Sequence, residues 1–322
     1  MNRYVEVFEV VTEENFSEER YLAENRDVQD AITAGKVKSG WHHFKRHGKK
    51  ERRKQLKVDY IQAINGIRQD KAEKIRKIIK PELRGHESDE VFFDFLNDTQ
   101  KAQFDYDHTD KVSSFFYGEA ALSLVNGFPD GLILDCGAGF RPVYYENVVN
   151  YEIEPYPTTD VLGFAEALPF QDNSFDAVMS FAVLEHVKYP FKVAEELIRV
   201  LKPGGKLTVS AAFLQPAHGY PHHYFNMTSS GMRTLFENGI DIEDQYVTPG
   251  TGPISTLSWV LRDWTNSLPP KERKKFKKMR VEELIGPAFA YSDKPFVSIL
   301  SESVNFQLAS ATFLVGEKKQ SP

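Results

Sequence analysis

The sequence predicts a doubly wound α/β fold built on a mostly parallel sheet. Short apolar runs at residues 132–134, 148–153, 177–180 and 206–211 alternate with helical segments, and the polar motifs fall at the carboxyl ends of those runs. Runs of this kind belong to strands covered on both faces. Ligands of such sheets bind beyond the carboxyl ends of the strands. The arrangement expected is Rossmann-like, preceded by a small helical region.

A length of 322 residues suits one catalytic domain and a smaller accessory region. Three segments are expected: a helical module over 1–55, an amphipathic helix with a linker or lid over 56–110, and the main domain over 111–322 with a capping insertion near 252–303. In the first, Tyr21, Leu22, Val28, Ala31 and Ile32 recur at helical spacing until Gly35 and Gly40 break the pattern. Its text YLAENRDVQDAITAGKVKSGWHHFKRHGKKERR resembles a short module found beside glycosyltransferase and methyltransferase domains in bacterial glycan assembly proteins. That resemblance implies docking of a glycan or protein partner through the N-terminal helices. In the second segment Val58, Ile61, Ile64, Ile67, Ile75, Ile78 and Ile79 predict a helix over 56–80 that ends at Pro81. Lys71, Lys74, Arg76, Lys77 and Lys80 are expected on its solvated face. Asp105, Asp107 and Asp110, beside Phe104 and Tyr106, read as the linker or lid.

A net charge of −6 leaves no basic footprint for nucleic acid. Cys136 is the single cysteine, which excludes an internal disulfide and a multi-thiolate metal site. With no basic and apolar leader at the start and no apolar run long enough to span a bilayer, a cytoplasmic location is expected.

The sharpest local feature is GLILDCGAGF, in which Asp135 ends a strand and Cys136, Gly137, Ala138 and Gly139 form a tight turn. Glycine lets backbone approach a ligand closely, since no Cβ intervenes. The next strand, VVNYEIE, ends in Glu152 and Glu154, and an acid there can accept hydrogen bonds from both hydroxyls of a ribose. Only residues 140–147 separate turn and strand, too few for the usual first helix. Together with VLGFAEALPFQDNSFDAVMSFAVLEHVKYPFKVAEELIRVLKPGGKLTVS over 161–210, these motifs resemble the class I S-adenosylmethionine-dependent methyltransferases, type 11 family. The resemblance implies S-adenosyl-L-methionine as cofactor, with Asp135 to Gly139 at its backbone turn, Glu152 on its ribose, and Ala165 and Glu166 near its adenine. Ser180 and Phe181 would line the cleft beneath its methionine portion. Phe164 stands where the family has an acid for the adenine amino group, and Asp160 is the nearest substitute. LEHV is expected to open a helix, with His186 facing substrate or bracing that helix.

Beyond the fifth strand, FLQPAHGYPHHYFNMT carries His218, Tyr220, His222, His223 and Tyr224. A histidine near neutral pKa suits removal of a proton from an acceptor hydroxyl, so His218, His222 and His223 are the candidate general bases. No metal is expected, because no clear set of carboxylates accompanies the histidines. Trp259, Trp264, Phe289 and Tyr291 fall in the capping insertion, and VNFQLASATFLVGEKK is expected to supply the last strands. The acceptor implied is a small molecule or glycan.

Overall fold

The computed structural model describes residues 3–84, 92–106, 108, 114–219, 222–285 and 287–309. Its strands are β1 (Tyr4–Glu6), β2 (Phe8–Val10), β3 (Lys54–Leu56), β4 (Phe93–Asp94), β5 (Ile133–Cys136), β6 (Val143–Tyr145), β7 (Val148–Glu152), β8 (Val161–Leu162), β9 (Phe175–Phe181) and β10 (Leu201–Ser210). Six form a parallel sheet in the order β10-β9-β5-β7-β8-β4. The register sets Ile133 beside both Val148 and Ala177, and Tyr151 beside Val161. β5 is therefore central and buried on both faces, which explains its unbroken apolar run.

Alternate strand residues feed two clusters. Leu134, Cys136, Val149, Tyr151 and Val178 pack with Ala72, Ile75 and Ile79 of the helix Tyr60–Ile78 and its end, and with Val193, Ala194 and Leu197 of the helix Pro190–Val200. Ile133, Val148, Ala177 and Met179 pack on Ala121, Leu124 and Val125 of the helix Glu119–Gly127. This is a Rossmann-like, doubly wound fold, with helices on both faces and N-terminal helices ahead of it. The helix that precedes β5 is Glu119–Gly127.

The link between β5 and β7 holds no helix. It runs through β6, which pairs antiparallel with β1, so residues 4–6 are bound into the main domain. Tyr144 of β6 packs with Val7, Phe8, Ile64 and Ile67. Lys71, expected on a solvated face, is instead buried: its Nζ donates to the Val148 carbonyl at 2.5 Å and to Asp160 at 2.8 Å. Burial pulls the Lys71 ammonium down to about 8, against the pull of Asp160. The helix passes through Gly66 without a break.

The N-terminal module contains the helices Glu18–Glu24 and Arg26–Thr33 and a third, Gly40–His43, which continues into a π-helical turn, Phe44–Gly48. Tyr21 and Phe44 are its buried aromatic centre, flanked by Phe16 and Trp41. Ser17 caps its first helix by accepting from the Arg20 amide. Two expectations fail elsewhere. LEHV forms a turn, and the helix begins only at Pro190, whose fixed φ suits a first helical position. Residues 304–308 of the expected last strands are helical, because Ser301 caps the helix Glu302–Leu308 through the Val304 amide; residues 310–322 lie outside the described residues. Among the described residues no helix is long and apolar enough to cross a membrane.

Candidate functional site

After β5 the chain turns through Gly137, Ala138 and Gly139. The first and last have φ of +77° and +61°, a region that penalises any Cβ. The Gly137 and Ala138 amides donate to the Tyr151 carbonyl at 2.9 and 3.1 Å. Gly139 N–H donates to Glu152 Oε2 at 2.7 Å, and the Ile153 amide to Oε1 at 2.8 Å. The turn and the end of β7 are thus one bonded unit. A Cβ on Gly137 would stand 2.2 Å from Val183 Cγ2, so the chain's own loop after β9 already makes the close approach that glycine permits. Burial pushes the half-buried Glu152 carboxyl above its ordinary range, and the Gly139 and Ile153 amides oppose this.

Two of the expected cofactor residues are committed elsewhere. Asp135 is fully buried and accepts from Arg141 Nε at 2.7 Å, Arg141 Nη2 at 3.1 Å and Tyr117 Oη at 2.6 Å. Its carboxylate neutralises a buried guanidinium and acts on the turn from behind. Ser180 is also fully buried, and its hydroxyl donates to the Cys136 carbonyl at 3.0 Å, bridging β9 to β5 away from any cleft. Cys136 and Ala138 are enclosed, whereas Phe181 is half-buried beside the second cluster. Arg141 escaped notice in the sequence; the signal was a cation in a link too short for a helix, six residues after a strand-end aspartate.

Phe164, the departure from the family pattern, is buried against Phe104 and Tyr106 at ring distances of 5.1 and 5.9 Å. Asp160 cannot replace the missing acid. It is fully buried and accepts from Lys71, Tyr144 and the Asn150 amide. Ala165 and Glu166 begin a 3-10 turn and are buried. Burial pushes the Glu166 carboxyl up; its own amide and those of Tyr189 and Lys188 draw it down, so its charge is turned inward.

Residues 104–106 meet the loops that follow β7, β8 and β9. Tyr106 donates to the buried Glu154 at 3.2 Å, His108 approaches the same carboxylate at 3.0 Å, and Asp105 pairs with Lys188 at 2.5 Å. Of the expected lid acids, Asp107 and Asp110 lie outside the described residues.

The histidine loop meets this segment and the loop after β9. His222 Nε2 donates to the Asp105 carbonyl at 3.0 Å, leaving the lone pair on Nδ1. His223 accepts the His218 amide at Nδ1 (3.0 Å) and uses Nε2 on Asn226 (2.9 Å), so neither nitrogen is free for a base's work. His218 Nδ1 donates to the Pro216 carbonyl at 2.9 Å, leaving the Nε2 lone pair. His186 repeats the pattern, with Nδ1 on the His222 carbonyl at 2.8 Å. The His186 and His218 rings lie 5.2 Å apart, edge to face, and His218 stands 4.9 Å from Trp259. Burial lowers the pKa of both, so both are neutral near pH 7. Glu185, one residue before His186 and missed in the sequence, is buried beneath them. Tyr220 and the Phe289 side chain lie outside the described residues.

A glycine turn locked to an acid at the end of the neighbouring parallel strand is an arrangement that binds nucleosides in Rossmann-like domains. Comparison agrees: the profile of a methyltransferase domain family matches residues 136–209. The demethylmenaquinone methyltransferase of Renibacterium salmoninarum is 52% identical over 59 residues, 18% of this chain and 24% of that one. An uncharacterized methyltransferase of Mycobacterium leprae is 29% identical over 152 residues, 40% of this chain and 56% of its own. The chain thus spans about a quarter and somewhat over half of these two relatives. A structure of Haemonchus contortus phosphoethanolamine N-methyltransferase 2 in complex with S-adenosyl-L-methionine is similar at 18% identity and a TM-score of 0.31, over 54% of this chain and 46% of that one.

Proposed function

We propose that the protein is an S-adenosylmethionine-dependent methyltransferase that methylates a hydroxyl of a sugar or glycan intermediate. The observation that carries this reading is Glu152. Its carboxylate ends β7, is half-buried, and is held by two backbone amides beside the glycine turn, so lone pairs remain for a ribose diol. S-adenosylmethionine supplies an electrophilic methyl group when bound. Glu152 then accepts the ribose hydroxyls, residues 136–139 offer backbone to the rest of the cofactor, and the backbone at Ala165 and Glu166, with Phe164, offers an apolar edge to adenine.

The acceptor side is the histidine loop. A hydroxyl must lose its proton as it attacks, and the Nε2 lone pairs of His218 and His186 and the Nδ1 lone pair of His222 are groups available for that task. Trp259 beside His218 gives an aromatic face next to polar groups, a combination suited to a sugar ring. The helices Pro253–Ser267 and Glu302–Leu308 cap this side, with the Ala217 amide bonded to the Gln307 carbonyl.

The test is calorimetric titration with S-adenosylhomocysteine. Micromolar binding that weakens about tenfold or more in Glu152→Gln is expected, since a charge-assisted hydrogen bond is removed. Screening of sugar nucleotides and glycans as acceptors then follows, with turnover falling in His218→Ala and unchanged in His223→Ala. No binding to the folded wild type would instead favour a non-catalytic scaffold, the rival that Val183 seated on Gly137 keeps in view.

A further inference from the structure

The loop after β9 ends in a cluster that methyl transfer as described leaves unexplained. Glu185 is 1% exposed, and its Oε1 accepts the Ala212 amide at 3.1 Å. Its Oε2 is buried and has no hydrogen-bond partner among the described residues. A buried carboxylate oxygen without a donor loses hydration and gains nothing in return. Directly beside it stand His186 and His218, each with Nδ1 engaged on a backbone carbonyl. In that tautomer Nε2 carries the lone pair, the arrangement found where an imidazole binds a metal and its other nitrogen is oriented by a carbonyl. One ligand atom from each of Glu185, His186 and His218 lies within 4.8 Å of the other two. The rest of the surroundings fit a fixed site. Gly219, at φ +89°, has room for the His186 ring only because it lacks a Cβ, which would stand 2.3 Å from Cε1.

We infer that Glu185, His186 and His218 form a binding site for a divalent transition metal of zinc type. Two imidazoles and one carboxylate are a borderline ligand set, which suits zinc and excludes magnesium and calcium, whose ligands are oxygens. Three protein ligands leave a tetrahedral ion one open position. His223 is outside the set because both its nitrogens are spent on protein groups. With a metal bound, the Nε2 lone pairs offered above as bases would be its ligands, so His186 and His218 would serve as free bases only in the metal-free protein. Metal binding itself does not depend on the methyl-transfer reading.

The experiment is titration of the metal-stripped full chain with Zn2+ alone, together with the absorption spectrum of the Co2+-loaded protein. The wild type is expected to take up about one equivalent tightly and to give the intense visible bands of a four-coordinate cobalt site. Glu185→Gln keeps the Ala212 hydrogen bond and should lose at least tenfold in Zn2+ affinity. His218→Ala should lose as much, while His47→Ala, an exposed histidine of the N-terminal module, should lose nothing. Equal uptake by wild type, Glu185→Gln and His218→Ala, or none by the folded wild type, overturns the site. S-adenosylhomocysteine titration of the same variants reads the donor pocket separately, so failure of one reading is not mistaken for failure of the other.

Discussion

The two sides of the candidate site treat their polar atoms in opposite ways. On the donor side the groups are spent on protein partners: Asp135 on Arg141 and Tyr117, Ser180 on Cys136, Gly139 N–H on Glu152. On the acceptor side Glu185 Oε2 has no partner among the described residues, and His186 and His218 each keep one lone pair. A donor pocket that offers backbone needs its backbone held, and internal bonds hold it. A pocket that offers ligand atoms must leave them unspent, at a cost in desolvation.

The largest effect is expected where the donor side is most heavily bonded. Arg141→Ala leaves Asp135 charged and buried without its partner, a loss of about 3–5 kcal/mol for a buried pair broken on one side. Urea unfolding measures it. A change below about 1 kcal/mol would mean that Asp135 finds another partner and that the turn is not held from behind.

Next comes the turn itself. Gly137→Ala forces a side chain into the left-handed region, at about 1–2 kcal/mol, and drives its Cβ onto Val183. Stability and donor affinity should both fall. Adding Val183→Ala removes the clash but not the backbone cost, so the double variant should recover part of the loss. Recovery of none would place the whole penalty in φ.

How much of this contrast could be read in the sequence follows from which forces are local. The strands expected at 132–134, 148–153, 177–180 and 206–211 overlap β5, β7, β9 and β10; β5, β7 and β9 lie inside the sheet and write their burial into consecutive apolar residues, whereas β10 is a largely part-exposed edge strand. The glycine turn and Glu152 were legible for the same reason: a tight turn needs its residue types at fixed positions. The pairing of β1 with β6 was not legible, since it joins residues nearly 140 positions apart through three-residue strands with no pattern of their own. Nor was the burial of Lys71, because a lysine among other cations on a helix gives no sign that Asp160 waits opposite. Ser180 and Asp135 occupy the positions the family pattern suggests, but only the fold shows which way each side chain is used. Truncation tests whether the expected segment boundaries delimit separately folding units: because β1 pairs with β6, in the link from β5 to β7, deleting residues 1–55 should destabilise the rest.

A smaller effect separates the charge of Glu152 from its shape. Its folded-state pKa is raised above the ordinary 4.5, chiefly by burial. The folded state therefore holds the proton more firmly than the unfolded chain, and as pH falls through the folded pKa towards 4.5 this residue's contribution to stability rises. Donor affinity should move the other way, because a protonated carboxyl accepts fewer hydrogen bonds from a ribose diol. Opposite slopes of stability and affinity, both flattened in Glu152→Gln, are the expected outcome of paired urea and calorimetric titrations. Parallel slopes would assign ribose recognition to another group.

The smallest effect probes the segment that joins the two sides. Asp105 pairs with Lys188 through its carboxylate, while its carbonyl accepts from His222. Both carboxylate and lysine are substantially exposed, so the pair adds little to global stability. Asp105 also adopts φ +55°, which asparagine tolerates as well as aspartate, so Asp105→Asn removes the charge without straining the backbone. The unfolding midpoint should not move. Amide hydrogen exchange in the helix Asp98–Gln103 should nonetheless speed up several-fold, since local opening there depends on few contacts. If exchange in that helix is unchanged, the segment is held by the packing of Phe104 and Tyr106 on Phe164 rather than by the Asp105 charge.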